Sequence, residues 1–232
     1  MTDGYGAIVR GDTAVKSIAL VFTGDEYGDG GEVIRQKLER HDTRASFFLT
    51  GHFYRNPEFA PLVKQLVEEG HYMGAHSDEH LLYCDWARRD SLLVSQKQFS
   101  QDLQMNYQRM AGFGIAKADA PYFLPPYEWY NQRIAAWTKQ EGLQLVNFTP
   151  GTRSTADYTW PEMGNRYVSS EEVYQSIMKY EQQDPHGLNG FILLVHIGTD
   201  PRRTDKFYNR LNELLTALKG KGYTFVTIDE LL

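Results

Sequence analysis

The sequence predicts an α/β protein built around a buried parallel β-sheet. Short apolar runs alternate along the chain with segments whose apolar residues recur at helical spacing. One run, residues 191–195, is apolar throughout, which is typical of a strand covered on both faces. Alternating strands and helices imply parallel pairing, in either an open doubly wound sheet or a barrel.

The first βαβ unit is predicted at residues 17–22, 31–41 and 45–50. The outer two segments are rich in β-formers, and the middle one has apolar residues at helical spacing. The alternation then continues through a helix at 57–69, a strand at 72–75, a helix at 91–110, a strand at 120–124, a helix at 131–141, strands at 143–148 and 191–195, a helix at 204–219 and a strand at 223–228.

Composition limits the possible functions. A chain of 232 residues with 41% hydrophobic content can bury one full core, so we expect a single domain over residues 1–232. The net charge of −6, without a Lys/Arg cluster, argues against a nucleic-acid partner. Cys84 is the only cysteine and cannot form an internal disulfide. No transmembrane run or signal peptide is visible, and the oligomeric state stays open.

The motif His76-Ser77-Asp78-Glu79-His80 is the first candidate for chemistry. Two histidines four residues apart lie on one side of a helical turn, so both imidazoles can reach one metal ion. The motif directly follows the predicted strand 72–75, whose C-terminal end is where such folds place functional residues. Ser77 replaces the glutamate of the zinc-protease motif His-Glu-x-x-His, which excludes that class. By spacing alone, the pair could equally be two histidines on a polar turn.

Further polar residues follow the other predicted strands. Asp25 and Glu26 follow the first, and His196 follows the apolar run at 191–195. The segment Pro125-Pro126-Tyr127-Glu128-Trp129 and Asp157 follow two more. One aspartate with two histidines is a three-ligand set that leaves metal positions open for water and substrate, as in catalytic zinc sites.

These motifs in this order resemble the polysaccharide deacetylases of carbohydrate esterase family 4, the NodB-homology domain. The resemblance rests on an acidic turn, His-Ser-x-x-His, Pro-Pro-Tyr and a late Leu-x-His, and residues 45–51 and 222–227 match further family segments. It implies a distorted (β/α)7-type barrel, a divalent metal held by Asp25, His76 and His80, and hydrolysis of acetyl groups on a carbohydrate. Zinc is the metal we expect.

Two departures concern the catalytic base. The family motif Thr-Phe-Asp-Asp supplies a base and then a metal ligand, and counting back from residues 45–48 places these on Gly24 and Asp25. The alternative register makes Asp25 the base and Glu26 the ligand. The family arginine that pairs with the base becomes Leu124. The loss of the aspartate base and the loss of its arginine partner are consistent with each other, because an arginine without the aspartate would be an unpaired buried charge. Glu128 is the candidate replacement base, and Glu26 the second choice.

The remaining roles follow from the resemblance and, for Trp129 and Trp160, from their positions in loops. His196 acts as general acid, and the backbone N–H of Tyr127 holds the oxyanion. We expect Trp129, Asp157 and Trp160 to bind substrate, and we interpret the other histidines, His41, His52, His71 and His186, as ordinary.

The predicted function is a metal-dependent deacetylase acting on an N-acetylated amino sugar or an O-acetylated polysaccharide. One alternative is a carbohydrate-binding protein that has lost turnover, and another is hydrolysis of a non-sugar amide on the same scaffold. The family implies a cell-envelope or secreted location.

Overall fold

The protein is described by a computed structural model covering residues 1–232. Its seven strands are β1 (Ser17–Gly24), β2 (Ser46–Leu49), β3 (Tyr72–Ala75), β4 (Tyr122–Phe123), β5 (Gln144–Leu145), β6 (Phe191–His196) and β7 (Thr224–Val226). They form one parallel sheet in the order β5-β4-β3-β2-β1-β6, and β7 pairs with the start of β1. The predicted parallel α/β fold, in its barrel form, is confirmed.

Eight α-helices connect and cover the strands. They are α1 (Gly31–Arg40), α2 (Gly51–Arg55), α3 (Ala60–Glu68), α4 (Gln96–Ala111), α5 (Gln132–Gln140), α6 (Ser170–Gln183), α7 (Leu211–Gly220) and α8 (Ile228–Leu231). The longest, α4, has 16 residues, and no helix combines the length and apolar character needed to cross a bilayer.

The sheet curls into a half-barrel, and the N-terminal segment spans its open side. Ile8 forms a parallel bridge with Val146, next to β5, while Arg10 forms an antiparallel bridge with Phe191 at the start of β6. The buried Arg10 side chain donates to the carbonyls of Gly187 and Asn189. The N-terminal segment therefore links the two edge strands of the sheet.

Side chains alternate between two apolar clusters along each strand, because successive residues of a strand face opposite sides. On β1, Ile18, Leu20 and Phe22 belong to the large cluster that includes the helices. Ala19 and Val21 belong to a smaller cluster inside the half-barrel, together with Leu124, Val146 and Leu194. This alternation decides which side chains at the strand ends can face the site.

Three predicted helices start too early, and α6 was not predicted. The helix predicted at 204–219 becomes α-helical only at Leu211, after a 3-10 segment at Phe207–Arg210. The segment 57–69 begins with a turn, and its helix starts only at Ala60. The long helix begins at Gln96, because Ser95 caps it with a reciprocal Ser95–Gln98 capping box. Helix α6 was missed, although its own capping box, Ser169 to Glu172, was a readable signal.

Arg10→Ala should destabilise the fold by about 2–4 kcal/mol. The substitution leaves two buried carbonyl oxygens without a hydrogen-bond donor and removes the ion pair with Asp184 at 3.5 Å. Urea unfolding would measure the change. Arg40→Ala, an exposed position on α1, is the matched control and should stay within about 0.5 kcal/mol. Equal stability of the two variants would contradict the closing role of Arg10.

Candidate active site

The main cavity lies at the C-terminal ends of the strands and measures about 880 Å³. Five predicted metal and acid–base residues line it together: Asp25, His76, His80, Glu128 and His196. Parallel strands bring their C-terminal ends to one edge, so residues distant in sequence converge there. Tyr127, Trp129 and Trp160 also line the cavity, as does the exposed side chain of Glu26.

Asp25 is held in a fixed orientation just after β1. Its Oδ1 accepts a hydrogen bond from Thr50 Oγ1 at 2.7 Å and lies 2.9 Å from Nδ1 of His52. Its Oδ2 lies 3.6 Å from Nδ1 of His80. One oxygen is therefore engaged in orienting hydrogen bonds, and the other is directed towards a candidate ligand. His52, interpreted as ordinary from the sequence, is thus a neighbour of the site.

His76 has the environment of a neutral metal ligand. Its ring Nδ1 lies 2.7 Å from the carbonyl oxygen of Leu124, where it can only donate, so Nε2 carries the free lone pair. Burial lowers the pKa of His76 well below its ordinary value, and nearby His80 lowers it further. Neutral imidazole is the form that binds a metal ion.

The loop carrying both histidines is not the helical turn that their spacing suggested. Ser77 and His80 have left-handed backbones, with φ of 74° and 50°, which non-glycine residues rarely adopt. The two imidazole rings still face one another, with centroids 5.2 Å apart. The helical prediction is wrong because a different hydrogen-bond partner, on α4, holds this loop.

That partner is the buried carboxylate of Asp102 on α4. It accepts hydrogen bonds from Ser77 Oγ at 2.6 Å and from the backbone N–H groups of Asp78 and Glu79 at 3.2 and 2.9 Å. One turn later, Asn106 accepts from the backbone N–H of His76. Sequence reasoning missed both residues, although two polar side chains on the inward face of a helix were an available signal.

The donor set suits a divalent metal, although the three side chains have not converged around one point. The structure contains no group of three or more His, Cys, Asp or Glu side chains close enough to hold an ion as they stand. The pairwise geometry nevertheless fits. Asp25 Oδ2 and His80 Nδ1 are separated by about the distance between two ligands of one ion, and His76 offers its free Nε2.

The turn after β4 places Glu128 in the cavity through an unusual backbone. Tyr127 and Glu128 both have left-handed conformations, with φ of 59° and 53°. Such conformations cost about 1–3 kcal/mol each and cluster at functional sites. The half-buried Glu128 side chain lines the cavity, and desolvation raises its pKa to about 7 against the opposing influence of His196. Its carboxyl group therefore titrates near neutral pH.

His196 is oriented by Asp157 from the far side of its ring. Asp157 Oδ1 lies 2.6 Å from His196 Nδ1, and Oδ2 accepts the backbone N–H of His196 at 2.9 Å. Burial opposes protonation, but Asp157 and Glu128 outweigh it and raise the pKa of His196. Asp157 was expected to bind substrate. The structure corrects this expectation, because the side chain is buried and both oxygens engage His196.

The two tryptophans expected to stack on sugar are partly covered. The Arg89 guanidinium lies 4.0 Å over the Trp129 ring, and Trp86 packs on the same ring at 5.5 Å. The guanidinium of Arg202 lies 4.0 Å over Trp160. Both residues line the cavity, but each has less free ring surface than its position in a loop suggested.

A side chain at Gly24 would point away from the cavity. A Cβ at Gly24 would meet Ile197 Cγ2 at 2.6 Å and Leu49 Cδ2 at 2.9 Å, so a side chain there would enter the apolar layer. Thr23 and Gly24 both line the cavity at the end of β1, and the side chain of Thr23 lies on the same side of the strand as Ala19 and Val21. The side-chain geometry therefore disfavours Gly24 as the position of a base, while Asp25 remains the candidate ligand because of its own contacts with Thr50, His52 and His80.

A family model described as polysaccharide deacetylase matches residues 10–146, which is more than half of the chain. The chain belongs to the polysaccharide deacetylase family. The match includes the predicted metal ligands, Tyr127 and Glu128, and ends before Asp157 and His196. The resemblance drawn from the sequence motifs is confirmed.

Named relatives agree with this assignment. The peptidoglycan-N-acetylmuramic acid deacetylase PdaA of Bacillus subtilis is 28% identical over 234 residues, covering 100% of this chain and 77% of PdaA. Its structure, a family 4 carbohydrate esterase, has a TM-score of 0.75 at 25% identity and covers 98% of this chain and 85% of that chain.

Two further structures establish shared fold alone. The Bc1960 peptidoglycan N-acetylglucosamine deacetylase has a TM-score of 0.77 at 21% identity, over 98% of this chain and 93% of that chain. BA3943 of Bacillus anthracis, a CE4 family pseudoenzyme, has a TM-score of 0.73 at 19% identity, over 99% and 69%. The same fold thus carries both active and inactive members.

Asp102→Asn should destabilise the protein by about 1–3 kcal/mol, because the amide nitrogen cannot accept the hydrogen bonds of the 76–80 loop. It should also weaken divalent metal binding by loosening His80. Chemical denaturation and metal titration would measure both effects. Gln104→Ala, exposed on the same helix, is the control. Unchanged stability in Asp102→Asn would remove its structural role.

Proposed function

We propose that this family member is a metal-dependent hydrolase that removes acetyl groups from a peptidoglycan-type carbohydrate, with residues 1–232 acting as one catalytic domain. The observation that carries the proposal is that Asp25, His76 and His80 line one cavity together with Glu128 and His196. The relative PdaA, a peptidoglycan deacetylase that aligns with the whole chain, supports the substrate class and favours a cell-envelope location.

Asp25, His76 and His80 would hold the divalent metal, with zinc as the first candidate. When bound there, a divalent metal would lower the pKa of water and polarise the acetyl carbonyl. The chain prepares the ligands for it, since His76 is held neutral and Asp25 is oriented by Thr50 and His52. The exposed Glu26 lacks such support, which favours Asp25 as the ligand.

Glu128 and His196 would divide the proton transfers. Glu128, with its pKa raised to about 7, can accept a proton from the attacking water at neutral pH. His196, with its pKa raised mainly by Asp157 against the effect of burial, keeps the proton that the leaving amine or alkoxide needs. The backbone N–H of Tyr127 would donate to the oxyanion in the same cavity.

One observation favours a second candidate, a carbohydrate-binding protein without turnover. The end of β1 carries Thr23 and Gly24 where it lines the cavity, and neither side chain can serve as a base. Acetate release from acetylated chito-oligosaccharides or acetylated xylan separates the two candidates. Release of acetate from neither, together with retained sugar binding, would favour the binding protein.

His76→Ala and His80→Ala should each abolish stoichiometric zinc, because two remaining protein ligands hold the ion poorly against water. Asp25→Asn should weaken binding in the same direction. Glu26→Gln is the matched control and should retain the metal. Metal analysis after dialysis against a defined zinc buffer gives the occupancy. Full occupancy in either histidine variant, or loss confined to Glu26→Gln, would overturn the ligand assignment.

Glu128→Gln should cut turnover roughly 10²- to 10⁴-fold while zinc is retained, because the amide keeps the shape but cannot accept the proton. In the parent, turnover plotted against pH should fall below about pH 7, where Glu128 becomes protonated. It should also fall at alkaline pH, where His196 loses its proton. The Glu128→Gln variant should lose the fall in turnover on the acid side. Acetate release across pH measures both.

His196→Gln should lower turnover over the same range with metal intact. The exposed His186→Gln is its matched control and should keep parental activity. Undiminished activity in Glu128→Gln would transfer the base role to another group, and an active His196→Gln would remove His196 from the mechanism.

A further inference from the structure

Asn147, in the segment that follows β5, places a buried amide group beside the turn of Glu128. It lies in the wall of the cavity. Its Nδ2 donates a hydrogen bond to the Glu128 carbonyl at 3.1 Å, and its Oδ1 accepts one from the backbone N–H of Phe148 at 2.9 Å. These partners fix the orientation of the amide, because a carbonyl oxygen can only accept and a backbone N–H can only donate. Asn147 therefore acts on the Glu128 backbone as a donor.

The turn that carries Glu128 has two backbone hydrogen bonds of its own. The N–H of Glu128 donates to the Pro125 carbonyl at 3.1 Å, and the next N–H, of Trp129, donates to the Pro126 carbonyl at 3.2 Å. Neither bond engages the Glu128 carbonyl, and the backbone of Glu128 is left-handed, with φ of 53°. A non-glycine residue persists in that conformation only where the surrounding structure over-determines it. The hydrogen bond from Asn147 supplies such a constraint from outside the turn.

The N-terminal segment holds Asn147 on two sides. The backbone N–H of Asn147 donates to the Ile8 carbonyl at 2.9 Å. Its Nδ2 also lies 3.4 Å from the hydroxyl of the fully buried Tyr130, which donates to Asp3 Oδ2 at 2.5 Å. Asp3 is fixed in turn, because its Oδ1 accepts the backbone N–H groups of residues 5–7. Hydrogen bonds in series strengthen one another in a low-dielectric interior, so this chain of contacts can act as one unit.

We propose that Asn147, held by Tyr130 and Asp3, is a positioning residue that fixes the left-handed turn of Glu128 and so keeps its carboxyl group directed into the cavity. This inference rests on the proposed role of Glu128 as the base. Asn147 acts through the Glu128 backbone, and its contribution is geometric, because a base must stay within hydrogen-bond reach of the water that it deprotonates. The N-terminal segment, far from Glu128 in sequence, is thereby part of the catalytic unit.

The test compares Asn147→Leu and Tyr130→Phe with the parent, with Asn189→Leu as the matched control. Leucine keeps the branched shape of asparagine and removes its donor without adding charge, and Tyr130→Phe keeps the buried ring and removes only the hydroxyl. Asn189 is a half-buried asparagine outside the cavity, and its Nδ2 likewise donates to a backbone carbonyl, that of Thr13 at 2.9 Å. Loss of stability alone should therefore affect both leucine variants.

Two measurements report on positioning. On acetylated chito-oligosaccharides, kcat should fall roughly ten- to a hundredfold in Asn147→Leu with KM nearly unchanged, less in Tyr130→Phe, and not at all in Asn189→Leu. Carbon-13 NMR of the carboxyl groups gives the pKa of Glu128 without turnover, and the Glu128 signal is assigned by its absence in Glu128→Gln. That pKa should fall from about 7 towards the ordinary glutamate value in Asn147→Leu, because a released carboxyl group reaches water. The charged groups that act on Glu128, His196 and Asp157, keep their mutual hydrogen bonds in all three variants.

Each contrary result has a distinct meaning. An unchanged kcat together with an unchanged Glu128 pKa in Asn147→Leu overturns the positioning role, as does an equal loss of kcat in Asn189→Leu. If Asn147→Leu does not fold, Tyr130→Phe decides by the same two measurements. A parent that releases no acetate, with a Glu128 pKa that still depends on Asn147, sinks the proposed function and keeps the positioning role. An active parent whose kcat and Glu128 pKa do not depend on Asn147 sinks the positioning role alone.

Discussion

The carboxylate of Asp102 is the constraint on which the site depends most. Its hydrogen bonds to Ser77, Asp78 and Glu79 fix a loop that would otherwise have unpaired backbone donors, and they hold His80 opposite His76. The left-handed backbone at Ser77 and His80 costs free energy, which these charge-assisted hydrogen bonds offset. A rigid helix therefore sets the position of both histidines, and the loop sequence alone does not.

The cavity also shows how environment can assign acid and base roles to two ionisable side chains. Desolvation makes Glu128 a weak acid that is half-ionised near pH 7, while Asp157 makes His196 a stronger base than a free imidazole. Because Glu128 and His196 interact, the apparent pKa values seen in a plot of turnover against pH belong to the pair and not to either residue alone. Asp157 stabilises the charge and also fixes the ring, because its second oxygen binds the backbone of the same histidine.

The sequence predicted the parallel sheet and most strand-end residues because both depend on local patterns. Apolar runs identify buried strands, and parallel pairing brings Asp25, His76 and His196 to one edge. The conformation of residues 76–80 was not predictable from spacing, since it depends on Asp102, which lies more than twenty residues away. His52 was missed for a similar reason: its partner, Asp25, lies on a neighbouring strand end, and no local pattern joins them.

The position of the missing base was the hardest feature to read, because a shift of one residue changes the face of a strand. Counting back from residues 45–48 without gaps placed the base at Gly24. Side chains alternate along β1, however, so a side chain at Gly24 would enter the apolar layer and that of Thr23 points towards the cavity. Leu124 lies in the same interior cluster as Val21, so the interior beneath the site is apolar where the resemblance implies an Asp–Arg pair. A carboxylate at that depth would be desolvated without a counter-charge. Proton transfer in this chain is therefore better served by Glu128, which reaches the cavity from the turn after β4 and has His196 as its counter-charge.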